Sequence, residues 1–267
     1  MLNFEKIRYR HDPYPIAFAE NVLDPNLYEA LTQEFPPLEA LKQAPNMGKN
    51  KFLLTEFSGA PYFDLISRSP NWRRFHDYVK SREFIDKVLE TLKAGHVDLG
   101  FSGARHVSDN HFDSRLKRLG EKIQRNIATR FLSPQGGVTG HLTSRFEFSS
   151  LRGEGGSHRP HTDAPRKVIS LILSMMKPGE WDPSWGGGTS VCRPKLMSNN
   201  FNHLNKYMDF DDVDVLETYP FIPNGCVVFV KTFNSWHAVM PYEADIRVTR
   251  KSVVINIDYS HAVGAAG

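Results

Sequence analysis

Apolar residues recur at helical spacing near the start of the chain. Leu27, Leu31 and Phe35 share one face of a predicted helix that begins after Asp24, a residue type that caps helix N-termini well. The helix is expected to end at Pro36, because proline cannot continue the hydrogen-bonding ladder.

A second helical region is predicted after Ser69-Pro70. Its apolar stripe extends from Trp72 to Leu92, and Gly95 is the expected end of the helix. Residues 1–95 are therefore assigned to an N-terminal helical and irregular segment that packs on the remainder of the chain.

A third helix is predicted over residues 114–131, with an apolar stripe and a basic face. The basic positions are Arg115, Lys117, Arg118, Lys122, Arg125 and Arg130. Such a face could contact a phosphate-bearing partner, but a solvated helix face is the favoured interpretation. A net charge of +3 also argues against a nucleic-acid-binding protein.

After Gly137 the pattern changes to short alternating or apolar runs separated by turn residues, which is typical of a β-sandwich or barrel. The runs are residues 145–148, 168–176, 220–231 and 251–259. Residues 181–188 are predicted as a loop, and the polar, acidic stretch 198–219 as an insertion between strands. Residues 96–267 are thus expected to form a mainly β core, and the whole chain a single structural unit.

The composition indicates an ordinary globular protein of enzyme size, with 267 residues, 40% of them hydrophobic and 24% charged. The two cysteines, Cys192 and Cys226, have no CxxC partner and suit a reducing compartment. Charges at the N-terminus argue against a signal peptide, and no apolar run reaches membrane-spanning length. We expect a cytoplasmic protein that uses neither a membrane nor a nucleic acid as partner.

Three His-x-Asp triplets occur, beginning at His96, His111 and His161. The first follows a helix stop, and the second leads into the basic helix, where Asp113 is more naturally an N-cap. Only His161-Thr162-Asp163 lies between a glycine-rich stretch and an apolar strand. Because residues i and i+2 of an extended segment point the same way, both side chains can reach one metal ion.

The third metal ligand is expected from another strand. His237 follows the apolar run 227–230 and lies beside Trp236. Such a histidine is often a satisfied core residue, but its place between the triplet and the last basic strand favours a ligand. His203 and His261 are weaker candidates, whereas His158 and His141 are close enough in sequence to line a pocket. Two histidines and one carboxylate occupy one face of a metal ion and leave the opposite positions open to a chelating co-substrate and dioxygen.

A carboxylate of such a co-substrate needs a cationic partner, for which arginine is better suited than lysine. Arg247 and Arg250 both precede the final strand. Arg250 is favoured because it alternates with Ser252 and Val254, so that all three can point inward, whereas Arg247 would fall in the turn.

Together these motifs resemble the Fe(II)- and 2-oxoglutarate-dependent oxygenases, in particular the prolyl-4-hydroxylase-like branch. The resemblance covers residues 145–259 and rests on HTD at 161–163, GGGT at 186–189, WHAVMP at 236–241 and RKSVVINI at 250–257. The chain departs from the branch at Leu151 and Ser174, where an aromatic hydroxyl is common. The gap from His237 to Arg250 is also longer than usual, and Arg247 keeps the more common spacing.

The resemblance implies a mainly β protein with flanking helices, in which a double-stranded β-helix is buttressed by the N-terminal helices. It implies Fe(II) bound by His161, Asp163 and His237. The distal carboxylate of 2-oxoglutarate would be bound by Arg250 with Ser252, and Ser170 and Ser174 would form hydrogen bonds to the co-substrate. Dioxygen is the second co-substrate, with ascorbate as an optional reductant.

The activity implied is hydroxylation of an unactivated C–H bond, with release of succinate and CO₂. Asp163 retains the carboxylate that halogenating relatives usually lack, which favours hydroxylation. The substrate is expected to be a small molecule, an amino acid or a peptidyl proline, and the loops 181–185 and 198–219 are expected to shape the pocket mouth. The alternative is a cupin-like barrel that binds a metal or small ligand without oxygenase turnover.

Overall fold

The computed structural model describes residues 1–99, 105–117, 119–120, 123 and 140–261. Four α-helices are present in this part of the chain: α1 Pro25–Gln33, α2 Ala60–Arg68, α3 Pro70–Val79 and α4 Arg82–Ala94. Most of the predicted basic helix 114–131 lies outside the described residues. Within the described ranges, no helix is long and apolar enough to cross a membrane.

Twelve β-strands are present in the same described ranges. They are β1 Ile16–Ala19, β2 Lys42–Gln43, β3 Lys51–Leu54, β4 Arg105–His106, β5 Gly140–Arg152, β6 His158–His161, β7 Lys167–Ser174, β8 Thr189–Pro194, β9 Val213–Tyr219, β10 Cys226–Val230, β11 His237–Val239 and β12 Thr249–His261.

The strands form two antiparallel sheets, and strands that follow one another in the second half of the chain mostly belong to different sheets. The larger sheet has the order β1-β10-β7-β12-β5-β3-β2, with β4 parallel beside β5, and the smaller sheet has the order β6-β11-β8-β9. From β5 to β12 the chain passes back and forth between the two sheets, which is the double-stranded β-helix. The predicted fold class is confirmed.

The alternation along β12 explains how the core is divided. Val253, Ile255 and Ile257 face outward and pack into the main hydrophobic core with the helices. The intervening residues face the interior of the barrel, where Ser252 and Asn256 are buried polar side chains. β12 therefore has an apolar face that packs against the helices and a polar face that points into the barrel.

The starts of α1 and α3 and the end of α4 lie where the sequence predicts them, whereas α2 was not predicted. Asp24 accepts hydrogen bonds from the backbone of Asn26 and Leu27, and Gly95 caps the C-terminus of α4. The region predicted as helical from residue 69 to 92 is divided, because Ser81 caps the N-terminus of a new helix. The helices cover the larger sheet through aromatic contacts such as Trp72 with Phe148, whose ring centroids are 4.7 Å apart.

The N-terminal segment contributes strands that the helical pattern did not predict. β1 pairs with β10, and β3 pairs with β5, so this segment extends the larger sheet on both sides. The interpretation of residues 198–219 as an insertion is wrong for residues 213–219, because they form β9, which pairs with β8. β9 is an edge strand whose residues are mostly exposed, so its sequence is polar and lacks the apolar signal of a core strand.

Candidate metal centre

The two candidate histidines lie opposite each other on neighbouring strands. His161 is the last residue of β6, His237 is the first residue of β11, and the two are paired in the ladder. Asp163 follows two residues after His161, at a positive φ of 72°. One ligand atom from each residue lies within 4.8 Å of the others, and all three residues are buried. The sequence-predicted triad is therefore assembled by one pair of strands and one turn.

Backbone carbonyls orient both imidazoles. His161 Nδ1 is 2.8 Å from the carbonyl oxygen of Arg159, and His237 Nδ1 is 2.9 Å from that of Ser235. Because a carbonyl oxygen only accepts, each Nδ1 carries the proton and each Nε2 has a free lone pair. Two such nitrogens and one carboxylate form a donor set that fits a divalent transition metal.

The carboxylate of Asp163 is held by hydrogen bonds on both oxygens. Lys167 Nζ is 2.7 Å from Oδ1, and the Ser170 hydroxyl donates to Oδ2 at 2.8 Å. Burial alone would raise the pKa of this carboxyl, but Lys167, His161 and His237 outweigh it, and the pKa lies well below its ordinary value. Asp163 is thus ionised, as a metal ligand must be.

A second layer supports Ser170. The side-chain amide of Asn256 on β12 lies 3.2 Å from the Ser170 hydroxyl. The structure has Oδ1 of Asn256 at this distance and leaves Nδ2 without a partner among the described residues. Because the serine gives its one proton to the ionised Asp163, we assign the amide the opposite orientation, in which Nδ2 donates to the serine oxygen. A chain of hydrogen bonds therefore runs from Asn256 through Ser170 to the candidate ligand.

His237 and His158 are neutral at physiological pH. Burial and then the neighbouring His161 lower the pKa of His237 to about 3. Burial, followed by the same neighbour, lowers the pKa of His158 well below its ordinary value. His158 stacks beside His161 with ring centroids 4.2 Å apart, so of the two histidines expected near the pocket this one lines it. Neutral imidazoles are the form that binds metals.

The other histidine candidates are placed elsewhere. His96 follows α4 in a left-handed conformation, and His111 stacks on Phe63 at 3.8 Å. His203 is exposed, and the side chain of His261 lies outside the described part of the structure. Among the described residues, none of His96, His111 and His203 belongs to a cluster that could bind a metal.

A cavity of about 260 Å³ opens beside the three candidate ligands. Its walls combine apolar side chains with a few charged ones, which is common for a small-molecule site. The apolar residues include Ile172, Phe229, Val239 and Val254, and the charged ones include Lys51, Arg145, Glu147 and Lys167.

The predicted co-substrate residues divide into two groups. Ser170 lines the cavity and binds Asp163, whereas Arg250, Ser252 and Ser174 lie farther along the same inner face. The Nε of Arg250 donates to the Gly187 carbonyl oxygen at 2.6 Å, and its guanidinium lies over the ring of Phe221.

Arg250 and Arg247 have opposite environments. Arg250 is 2% exposed, and its Nη2 has no hydrogen-bond partner among the described residues. Burial lowers its pKa to about 10, while Tyr242 acts in the opposite direction. Arg247 is exposed in the turn before β12 and forms an ion pair with Asp245. The buried arginine is the one that faces the barrel interior.

The two loops expected at the pocket mouth differ in their contact with the cavity. Asn205 and Tyr207, from the stretch predicted as an insertion, line the cavity. Trp181 is buried against Phe221 and Tyr242, near Arg250, and does not line this cavity. The expectation that the loop 181–185 shapes the pocket mouth stays a prediction.

Sequence reasoning missed several residues of the site. Lys51 comes from β3, Glu147 and Arg145 from β5, and Asn256 from β12. The alternation of β5 and β12 could have indicated inward positions for the last three. Lys51 lies at the start of β3, and no local signal distinguishes it.

Comparisons with known proteins agree with this architecture. No protein-family model and no curated protein sequence matches the chain. Among solved structures, the non-heme alpha-ketoglutarate-dependent epimerase SnoN from nogalamycin biosynthesis matches with a TM-score of 0.50 at 12% identity, over 94% of this chain and 82% of that chain.

Two prolyl hydroxylase structures also match. A prolyl-4-hydroxylase from Pseudomonas putida has a TM-score of 0.48 at 14% identity, over 91% of both chains. A prolyl hydroxylase from Trichoplax adhaerens, in complex with a hypoxia-inducible factor peptide fragment, has a TM-score of 0.42 at 11% identity, over 91% of this chain and 83% of that chain. At such low identity the likeness to SnoN establishes a shared fold, and the reaction has to be argued from the site.

Proposed function

We propose that the protein is an Fe(II)- and 2-oxoglutarate-dependent oxygenase of the prolyl-4-hydroxylase-like branch. The observation that carries the proposal is the buried cluster of His161, Asp163 and His237, whose ligand atoms lie within 4.8 Å of one another beside a cavity. Three protein ligands on one side of a metal leave positions for a bidentate co-substrate and dioxygen.

In this proposal the three residues hold Fe(II), and their hydrogen-bond partners orient them for metal binding. The carbonyls of Arg159 and Ser235 fix the imidazole tautomers, which keeps each Nε2 available. Ser170 and Lys167 keep the Asp163 carboxylate ionised and oriented. The bound metal, with 2-oxoglutarate and dioxygen, supplies the oxidation: substrate C–H, 2-oxoglutarate and O₂ give substrate C–OH, succinate and CO₂.

The co-substrate lies along the inner face of β7 and β12 in this proposal. Arg250 with Ser252 binds the distal carboxylate, and Ser170 and Ser174 line the path from the metal. Support comes from the burial of all four side chains and from the Nη2 of Arg250, which has no hydrogen-bond partner in the part of the chain that the structure describes. A buried guanidinium with a free donor requires an anion to offset its desolvation.

The primary substrate approaches through the remaining opening of the cavity. Tyr207, Asn205 and Phe57 line it, and Phe57 is 68% exposed. Apolar walls near Phe229 and Val239 would exclude water from the oxidised carbon. A small molecule, an amino acid or a peptidyl proline is the proposed class of substrate, and hydroxylation is the proposed outcome.

A cytoplasmic location is proposed from the state of the thiols. Cys192 and Cys226 are both free and buried. Burial raises the pKa of each thiol to about 12, so neither is a ready nucleophile or metal ligand at neutral pH.

The proposal is tested by anaerobic titration of the metal-free protein with Fe(II) and then with 2-oxoglutarate. A weak visible metal-to-ligand charge-transfer band is expected from the wild-type protein, and His161→Ala should lose it. Succinate formation on admission of air should depend on Fe(II) and should be lost in the same variant. His203→Ala is the matched control, because His203 is exposed and lies outside the cluster.

Other outcomes separate the alternative function. Iron binding by the wild-type protein without a charge-transfer band would favour a cupin-like metal-binding barrel that does not use 2-oxoglutarate. A band that persists unchanged in His161→Ala would contradict the assignment of the metal ligands.

A further inference from the structure

Lys51 is a buried lysine on the wall of the candidate active-site cavity. It begins β3, a strand outside the eight that form the double-stranded β-helix, and is 4% exposed. Its Nζ donates to the Ser149 hydroxyl at 2.6 Å. Lysine is almost never fully buried without an anionic partner, and a serine hydroxyl does not neutralise the charge.

The strand register places Lys51 and Arg250 on either side of Leu151, in one row across three strands. Lys51 pairs with Leu151 on β5, and Leu151 pairs with Arg250 on β12. Directly paired residues face the same side of a sheet, and the two Cα atoms are about 10 Å apart, since neighbouring strands are separated by about 4.8 Å. Both cations therefore point into the barrel at the same level.

Both side chains also contact serine hydroxyls in the next row of paired inward-facing residues. Lys51 donates to Ser149, and Arg250 Nη1 lies 3.5 Å from the Ser252 hydroxyl. Ser149 pairs with Ser252, and Ser252 pairs with Ser174, so three inward serines form one row across β5, β12 and β7. A row of hydroxyls between two cations is suited to a carboxylate.

The Ser174 hydroxyl, at the β7 end of this row, can still donate a hydrogen bond to a ligand. Its hydroxyl has no hydrogen bond of ordinary geometry within the described ranges. The Tyr28 hydroxyl is nearby: burial raises the Tyr28 pKa to about 12, while the backbone of Asn224 and the Ser174 hydroxyl act in the opposite direction. Arg250 Nη2 is likewise buried without a hydrogen-bond partner among the described residues. A serine hydroxyl and an unpaired guanidinium donor thus accompany the two cations.

The row of serines lies at a distance from the candidate metal centre that a five-carbon dicarboxylate could span. Asn256 supports the Ser170–Asp163 hydrogen bond and lies four residues beyond Ser252 on the same face of β12. At about 3.3 Å per residue, four residues correspond to about 13 Å. A five-carbon dicarboxylate that is bound at the metal by one end covers a span of this order, including the contacts at both ends.

We propose that Lys51 binds the distal carboxylate of 2-oxoglutarate jointly with Arg250, so that a strand of the N-terminal segment supplies part of the co-substrate site. This inference rests on the proposed function, because it requires 2-oxoglutarate to be the bound acid. It explains why a lysine occupies a position where its charge is otherwise unfavourable.

The test compares two acids in protein loaded with Mn(II), a redox-silent substitute for Fe(II), by isothermal titration calorimetry. 2-Oxoglutarate has the distal carboxylate, whereas 2-oxopentanoate has a methyl group there. Lys51→Met should weaken 2-oxoglutarate binding by about tenfold to a hundredfold, the range for a hydrogen bond to a charged group. Binding of 2-oxopentanoate should be unchanged. Lys42→Met is the matched control, because Lys42 is exposed on the adjacent strand β2.

Proton uptake provides a second readout. Burial lowers the pKa of Lys51 to about 7, and a carboxylate beside the amine would raise it again. Binding of 2-oxoglutarate at pH 8 should therefore take up most of one proton, measured as the difference in binding enthalpy between two buffers, and Lys51→Met should abolish the uptake. Other charged groups near Lys51 belong to several elements and remain in the variant: Glu147, Arg250, Lys167, Asp163 and His158.

The outcomes separate this inference from the proposed function. Unchanged 2-oxoglutarate affinity in Lys51→Met would overturn the inference alone. Equal weakening of both acids would show a structural role and would also overturn it. A wild-type protein that fails to prefer 2-oxoglutarate over 2-oxopentanoate would overturn the proposed function, and the inference with it.

Discussion

Replacing Lys51 by methionine is expected to stabilise the ligand-free, metal-free protein at neutral pH. The amine is buried, and burial is the largest cause of its low pKa, which Arg250 and Lys167 lower further while Glu147 and Asp163 act in the opposite direction. Methionine has a similar length and no charge, so it keeps the packing and removes the cost of desolvation.

The magnitude follows from the two pKa values. A pKa of about 7 in the folded protein, against 10.5 for an ordinary lysine, corresponds to about 4 kcal/mol at pH 7, with 1.36 kcal/mol for each pH unit. Between pH 7 and pH 10.5 the unfolded chain binds the proton that the folded chain lacks, so stability of the wild-type protein rises with pH in this window. The Lys51→Met variant lacks this pH-dependent contribution to stability. Its advantage over the wild-type protein should therefore shrink by about 1.4 kcal/mol for each pH unit between pH 7 and pH 10.

Urea denaturation at pH 7, 8 and 9 in the presence of a chelator measures this difference, with m-values compared to check that the unfolded states are alike. Because constant packing effects of the substitution do not vary with pH, the slope reports the amine alone. Lys42→Met should show no such slope, since Lys42 is exposed. A stability difference between Lys51→Met and wild type that stays constant from pH 7 to pH 9 would refute the reasoning.

Two further predictions concern the metal and co-substrate sites. Arg250→Ala should weaken 2-oxoglutarate binding to the Mn(II)-loaded protein by about tenfold to a hundredfold, whereas Arg247→Ala should leave it unchanged because that side chain is exposed and paired with Asp245; equal effects in calorimetry would contradict the choice of arginine. Ser170→Ala should weaken metal affinity by about tenfold to a hundredfold, because it removes the hydrogen bond that orients Asp163; an unchanged dissociation constant for Mn(II) would show that this bond does not matter.

Local sequence signals were sufficient for the elements whose residues interact with near neighbours. Asp24, Ser69 and Gly95 marked helix ends because capping involves backbone groups within a few residues. The split between α3 and α4 was missed, since the apolar stripe continues through the break at Ser81. β9 was missed because an edge strand keeps polar residues on most of its surface.

The sequence by itself determined which residues could act together at the metal centre. The i, i+2 spacing of His161 and Asp163 directs both side chains to one side in any extended segment, and the alternation of β12 directs Arg250 and Ser252 inward. These relations depend on local backbone geometry, so they hold before the tertiary structure is known.

Only the tertiary structure decided what surrounds those residues. Lys51 and Arg250 lie on the same face of the sheet, with Leu151 between them, because β3 pairs with β5 and β5 with β12, across sequence separations that no local pattern encodes. Asn256 supports Asp163 because β12 and β7 are in one register and not another, and a shift of one residue would turn its side chain to the opposite face. Pairing between distant strands is fixed by the whole packed sheet, which is why candidate ligands could be proposed from the sequence and their supporting contacts could not.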